Sequence, residues 1–113
     1  MSITITYIRL NSLWKFFRLS WLGYKIMKQA QKQPGFIRMK NTGFGYMHYT
    51  LSAWENEAAM KAFAYKPGAH LDAMKESRRL ASAIGTYTFQ SEKLPDWEEA
   101  RRLVDEKGRA LPF

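Results

Sequence analysis

Residues 49–73 read YTLSAWENEAAMKAFAYKPGAHLDA, and the periodicity changes partway through. Up to Ala53, apolar and polar residues alternate, as they do in a strand. Beyond it, apolar residues recur at helical spacing. Ser52-Ala-Trp-Glu55 has the form of a capping box, so a helix is expected to run from there through Tyr65. Lys66-Pro-Gly68 breaks that helix, and a second helical run is expected from Ala69 to about Ala83.

The same reading extends in both directions. Ser2 to Leu10 alternates and is rich in β-branched residues, which predicts a strand. A helix should follow, with Asn11 or Ser12 as its N-cap and Pro34-Gly35 as its stop. Phe36 to Lys40 and Tyr46 to Ala53 are two further strands, joined by the turn Asn41-Thr-Gly-Phe-Gly45. Gly85 to Glu92 is a fourth strand. A last helix has Asp96 as N-cap and ends near Lys107-Gly108. The order is β-α-β-β-α-β plus a C-terminal helix, an α+β ferredoxin-like pattern with an antiparallel sheet and both internal helices on one face. Residues 1–113 form one domain, without repeats or linkers. Ile3, Ile5 and Tyr7 alternate with Thr4, Thr6 and Ile8, so neither sheet face is fully polar. The face away from the helices is therefore expected to meet a second sheet, most simply that of an identical chain.

Composition narrows the chemistry. Aromatic residues make up 15% of the chain, which suits a packed core, and there is no cysteine to supply a disulfide, a thiolate nucleophile or a metal thiolate. A cytoplasmic location is expected, with no secretory leader and with Lys15, Arg18 and Lys25 interrupting the most apolar stretch. The net charge of +8 resides entirely in residues 1–54, where eight bases stand without one acid. That asymmetry calls for an anionic partner, or for an acidic segment of the protein laid over the basic one.

The run S-x-W-E, then A-A-M-x-A-F-A-Y, then G-A-H between Ser52 and His70 resembles the corresponding segment of spheroidene monooxygenase-like proteins. It is similar also to a related group of uncharacterised barrel proteins and, more loosely, to the antibiotic biosynthesis monooxygenases. The resemblance implies the dimeric α/β-barrel superfamily, in which paired chains enclose a cavity for a small, largely apolar molecule. From the spheroidene-type enzymes it implies haem-dependent oxygen chemistry. Trp54 resembles the helix-entry tryptophan of that fold.

The two histidines are the candidate catalytic residues. His70 follows the Pro67-Gly68 break on a mostly apolar helix face. It is either a buried core histidine or, if haem is bound, the iron ligand; the helix N-terminus would favour its neutral form. His48 shares strand parity with Tyr46 and Thr50. If that face lines a barrel, His48 points into the cavity, where Arg38 joins it; with the opposite parity it packs under a helix. Arg38, Tyr46, Thr50 and Trp54 complete the expected substrate-binding set.

The first helix raises a separate question. Leu13, Phe16, Phe17, Leu19, Tyr24 and Ile26 suggest a broad apolar face, opposite Arg18, Lys25, Lys28 and Lys32. Trp14 and Trp21 each precede a base by four residues, so each ring can lie under a cation. Such a surface suits a membrane or a single-stranded nucleic acid. Alternatively, the acidic C-terminal helix with Glu98, Glu99, Asp105 and Glu106 covers it. No phosphate-binding loop or zinc-protease motif is present. The function expected from all of this is a monooxygenase-like protein holding a small apolar substrate. The alternatives are a non-catalytic binding barrel and a basic module for nucleic acid or an anionic membrane.

Overall fold

A computed structural model describes residues 1–65, 76 and 79–110. Its elements are β1 (Ser2–Leu10), α1 (Lys15–Gln31), β2 (Phe36–Phe44), β3 (Met47–Trp54), α2 (Glu57–Tyr65), β4 (Ala81–Gln90), α3 (Trp97–Lys107) and a two-residue β5 (Arg109–Ala110). The sheet is antiparallel throughout, in the order β2-β3-β1-β4-β5. This is the α+β ferredoxin-like topology expected from the sequence, with the C-terminal helix added.

Local chemistry explains the boundaries. Asp96 caps α3, its side chain accepting the Glu99 amide at 2.8 Å. The cap of α2 is Asn56, whose side chain accepts the Ala59 amide at 2.8 Å, so Ser52 remains in β3 and the helix starts later than the capping-box pattern suggested. Gly35, at φ +84°, turns the chain from α1 into β2. A β-carbon there would stand 2.6 Å from Ala59 Cβ, so the same glycine lets α2 approach. β4 begins at Ala81, several residues before the expected strand, because it extends along all of β1 as far as Leu10.

Strand register sorts the side chains. Ile3, Ile5, Leu51 and Ala53 are buried on the outer sheet face, and α3 packs there through Ala100 and Val104. The face expected to meet a second sheet is thus covered across β1 and β4 by the chain's own C-terminal helix. Its apolar side closes a surface that would otherwise be wet. The other face carries Ser2, Thr4, Thr6, Ile8 and Leu10 of β1 and lies under α1 and α2. Because α3 and α1 sit on opposite sides of the sheet, α3 does not cover Trp14 and Trp21, which are 81% and 53% exposed.

Tyr49 anchors α3. Its hydroxyl lies 3.4 Å from both Asp105 carboxylate oxygens, and the Arg101 guanidinium sits 5.6 Å over its ring. Burial, followed by the Asp105 charge, raises the phenol pKa above 10.0. A phenol whose pKa is higher folded than unfolded stabilises the fold below the unfolded value, and that contribution disappears as pH rises through the folded value. Urea midpoints should therefore fall above pH ~10 in the parent and fall less in Tyr49→Phe. Identical alkaline profiles in the two proteins would remove this role.

Candidate functional site

The helix-facing side of the sheet has a floor of hydroxyls. Strand register aligns Asn41, Thr50, Thr6 and Thr86 in one row across β2, β3, β1 and β4, and Met39, Ser52, Thr4 and Thr88 in the next. Thr4 and Thr88 hydrogen-bond at 2.9 Å, and the Thr4 hydroxyl donates to Met60 Sδ at 2.8 Å. Threonine supplies β-branching for the strand and a hydroxyl for the face, so one residue type serves both.

The core-facing side of α1 roofs part of this floor. A cavity of about 100 Å³ lies between them, walled by Leu19, Leu22, Ile26 and Ile84. Gly23 faces it, and a β-carbon added there would meet nothing within 4 Å. Asn41 and Thr50, directly opposite one another in register, are the polar members of the lining. Among the described residues neither side chain has a hydrogen-bond partner, so an amide and a hydroxyl are available at one end of an apolar space. No lining residue among those described is titratable.

His48 also faces the helices, but it lines a neighbouring groove and not the cavity. That groove, about 480 Å³ and open to solvent, runs between the start of α1 and the β2–β3 turn. The His48 ring lies 5.4 Å from Phe16, and its Nε2–H donates to the Gly45 carbonyl at 2.9 Å. The pairing partner of His48 is Gly43, where a β-carbon would collide with His48 Nδ1. Nδ1 is thereby left unprotonated in the neutral ring, and room for it depends on a glycine. A haem does not fit His48, because Nε2 is engaged, Nδ1 is turned against the backbone of β2, and Phe16 covers the ring. His70 lies outside the described residues. Among the described residues no three carboxylate or imidazole groups gather to hold a metal.

The remaining expected site residues separate. Thr50 lines the cavity. Tyr46 lies in the turn between β2 and β3 and is 47% exposed, its carbonyl accepting the Leu10 amide at 2.7 Å. Arg38 pairs with Ala53 and so belongs to the outer face, exposed and away from His48; a register shift between Phe36 and Arg38 puts Phe36 with Trp54 instead. Trp54 shares the face of His48 and Thr50 but is buried at the far end of β3, between Phe36 and Phe63. Asn41 was missed because the sequence there reads as a turn. Its signal was parity, visible once β2 is extended to Phe44.

No family model matches the sequence, and no curated protein is a detectable relative. Solved structures do share its shape. SnoaB from Streptomyces nogalater, a cofactor-independent oxygenase, superposes with a TM-score of 0.70 at 13% identity, covering 84% of this chain and 96% of its own. A protein from Nitrosomonas europaea, provisionally assigned as an antibiotic biosynthesis monooxygenase, has a TM-score of 0.71 at 13% identity, over 82% of this chain and 100% of its own. Rv0793 from Mycobacterium tuberculosis gives 0.71 at 8% identity, over 85% and 100%. The chain therefore shares the ferredoxin-like fold of these structures.

Proposed function

We propose that this protein is monooxygenase-like and binds a small, largely apolar molecule bearing one polar group between α1 and the threonine floor. The observation that carries this reading is the apolar cavity with Asn41 and Thr50 unpartnered, among the described residues, at one end. The fold shared with an oxygenase that needs no cofactor supports it. Asn41 and Thr50 would hold a carbonyl or hydroxyl oxygen. His48 borders the adjoining groove with Nε2 held by the Gly45 carbonyl and Nδ1 packed against Gly43, so it serves as a base only if its ring turns out of that contact. Tyr46 at the turn and a homodimer remain part of the proposal. The lack of a titratable lining group among the described residues favours a second reading, a binding protein without chemistry.

Binding can be tested with phenol and benzene: an apolar cavity of ~150 Å³ holds benzene, and this one, at about 100 Å³, must widen at its open side to take a ring. Phenol should shift the backbone amide resonances of Asn41 and Thr50 at lower concentration than benzene. Thr50→Val should weaken phenol alone by about three- to tenfold, the value of one hydrogen bond. Gly23→Ala should stabilise the fold by about 0.5–1 kcal/mol, because glycine inside a helix costs that much. Gly23→Phe should fill the cavity and abolish both ligands. Unchanged binding in Gly23→Phe would place the ligand elsewhere. Oxygen uptake with a hydroquinone separates the two readings: consumption favours the oxygenase, and binding without consumption favours the carrier. Sedimentation equilibrium tests the homodimer.

A further inference from the structure

We propose that the solvent face of α1 docks on an anionic lipid bilayer, lying in the plane of the headgroups. Trp14, Phe17, Trp21 and Tyr24 are 81%, 67%, 53% and 55% exposed. Their spacing of three, four and three residues draws one line along the helix, about 15 Å long. That line is opposite Leu22, Ile26 and Ala30, which face the sheet. Of the exposed large apolar side chains, most belong to this one helix and its entry. Tryptophan and tyrosine, with an apolar body and a polar tip, are the residues that settle at a membrane interface.

Charge identifies the occupant. Residues 1–54 carry eight bases and no acid. Lys25 Nζ lies 6.0 Å from the Trp21 ring centroid, and Lys28 Nζ 5.6 Å from that of Tyr24, so cations flank the line of rings. Arg18 is taken up by Glu76, its Nε donating at 3.0 Å, and Lys25 lies near enough to help hold that carboxylate ionised, so Lys28 and Lys32 are the charges of this face without an acid beside them among the described residues. A second copy joined through this face would bring lysine to lysine, since α1 has no acid and Glu76, the carboxylate beside it, is already paired with Arg18. Single-stranded nucleic acid needs bare ring faces lining a channel. Here Trp21 and Tyr24 stack on each other at 6.1 Å and 22°, cations lie over both, and the surface is the convex side of a helix. No helix among the described residues is long and apolar enough to cross a membrane, so a helix resting on the surface is the mode that remains for α1. This inference does not depend on the cavity, which lies on the other side of α1; Trp14 and Phe17 also border the His48 groove, whereas Trp21 and Tyr24 border neither.

The test is co-sedimentation of the purified chain with vesicles of phosphatidylcholine alone and of seven parts phosphatidylcholine to three of phosphatidylserine. The mixed vesicles should bind at least tenfold more tightly, with a blue shift in tryptophan emission, and half-molar salt should weaken the binding. Lys25→Gln/Lys28→Gln/Lys32→Gln should lose about a hundredfold, at about fivefold for each lysine. Trp14→Ser/Trp21→Ser should lose binding while keeping its circular dichroism and melting temperature, because neither ring is in the core. Equal affinity for the two vesicle types, no binding to either, or full binding by the tryptophan variant would each overturn the proposal. Oligothymidylate binding without vesicle binding would make the face a nucleic-acid platform. A molecular mass that halves in the tryptophan variant, with vesicles ignored by both forms, would make it a contact between copies.

Discussion

Trp54→Ala is expected to destabilise the protein by about 3–5 kcal/mol, the range for removing a large aromatic side chain from a core. Trp54 is 1% exposed and sits where β3 hands over to α2. Its ring stacks on Phe63 at 5.0 Å and meets Phe36 edge-on at 5.5 Å, with Ala30 of α1 in the same cluster. One side chain therefore joins β2, β3 and both helices of the helix-facing layer. Three separate elements would have to move together to fill the space it leaves, so collapse around the truncation should be poor. A domain of this size has a total stability of only about 5–15 kcal/mol, and the melting temperature should fall by about 15 °C or more. Urea denaturation measures the effect. A loss below 1 kcal/mol would mean that the cluster repacks and that Trp54 is peripheral to it. The same experiment bears on substrate binding, for which Trp54 is one of the expected residues: a variant that stays folded and binds phenol as the parent does would assign the ring to the core alone.

Val104→Asp should cost about 3–5 kcal/mol by placing an uncompensated carboxyl in an apolar layer. Val104 is 1% exposed on α3, in the cluster that holds Ile3, Ile5 and Leu51 of the outer sheet face. Asp105 is the next residue, but its carboxylate is directed to Tyr49 and has the same sign, so it offers the new group no relief. Val104→Ala is the control and should cost about 1–2 kcal/mol, as two methyl-sized groups are lost from the layer. The pair of variants also tests what the outer face prefers. If α3 is the true cover, Val104→Asp lowers the unfolding midpoint and exposes apolar sheet. If a second sheet can replace it, the variant keeps its midpoint and gains mass in sedimentation. The first outcome is expected, because Ala100, Val104, Trp97 and Leu103 already match the apolar positions of β1, β3 and β4.

Much of this protein could be read from its residues alone. The change from alternation to helical spacing after Ala53 placed β3 and α2, and the turn and cap residues at Pro34-Gly35 and Asp96 located two further boundaries, because those signals act within a few residues. Strand parity put His48 and Thr50 on one face, as the alternating backbone requires, whereas Tyr46, grouped with them by the same parity, lies in the turn before β3. Which face that would be is a different matter. Parity says that two sets of side chains point oppositely, not which set the helices will cover. Only packing decided that the threonines lie under α1 and that Arg38 points the other way, through a register shift no local signal announces. The cover of the outer sheet was likewise undecidable in one dimension. An amphipathic C-terminal helix can satisfy the sheet or the aromatic side of α1 equally well on paper, and the tertiary structure chose the sheet, burying Val104 and Ala100 and leaving Trp14 and Trp21 in water. Short-range chemistry was written in the sequence; the partners of each amphipathic face were settled only when the chain closed on itself, since burying one face fixes what every other face is left to meet.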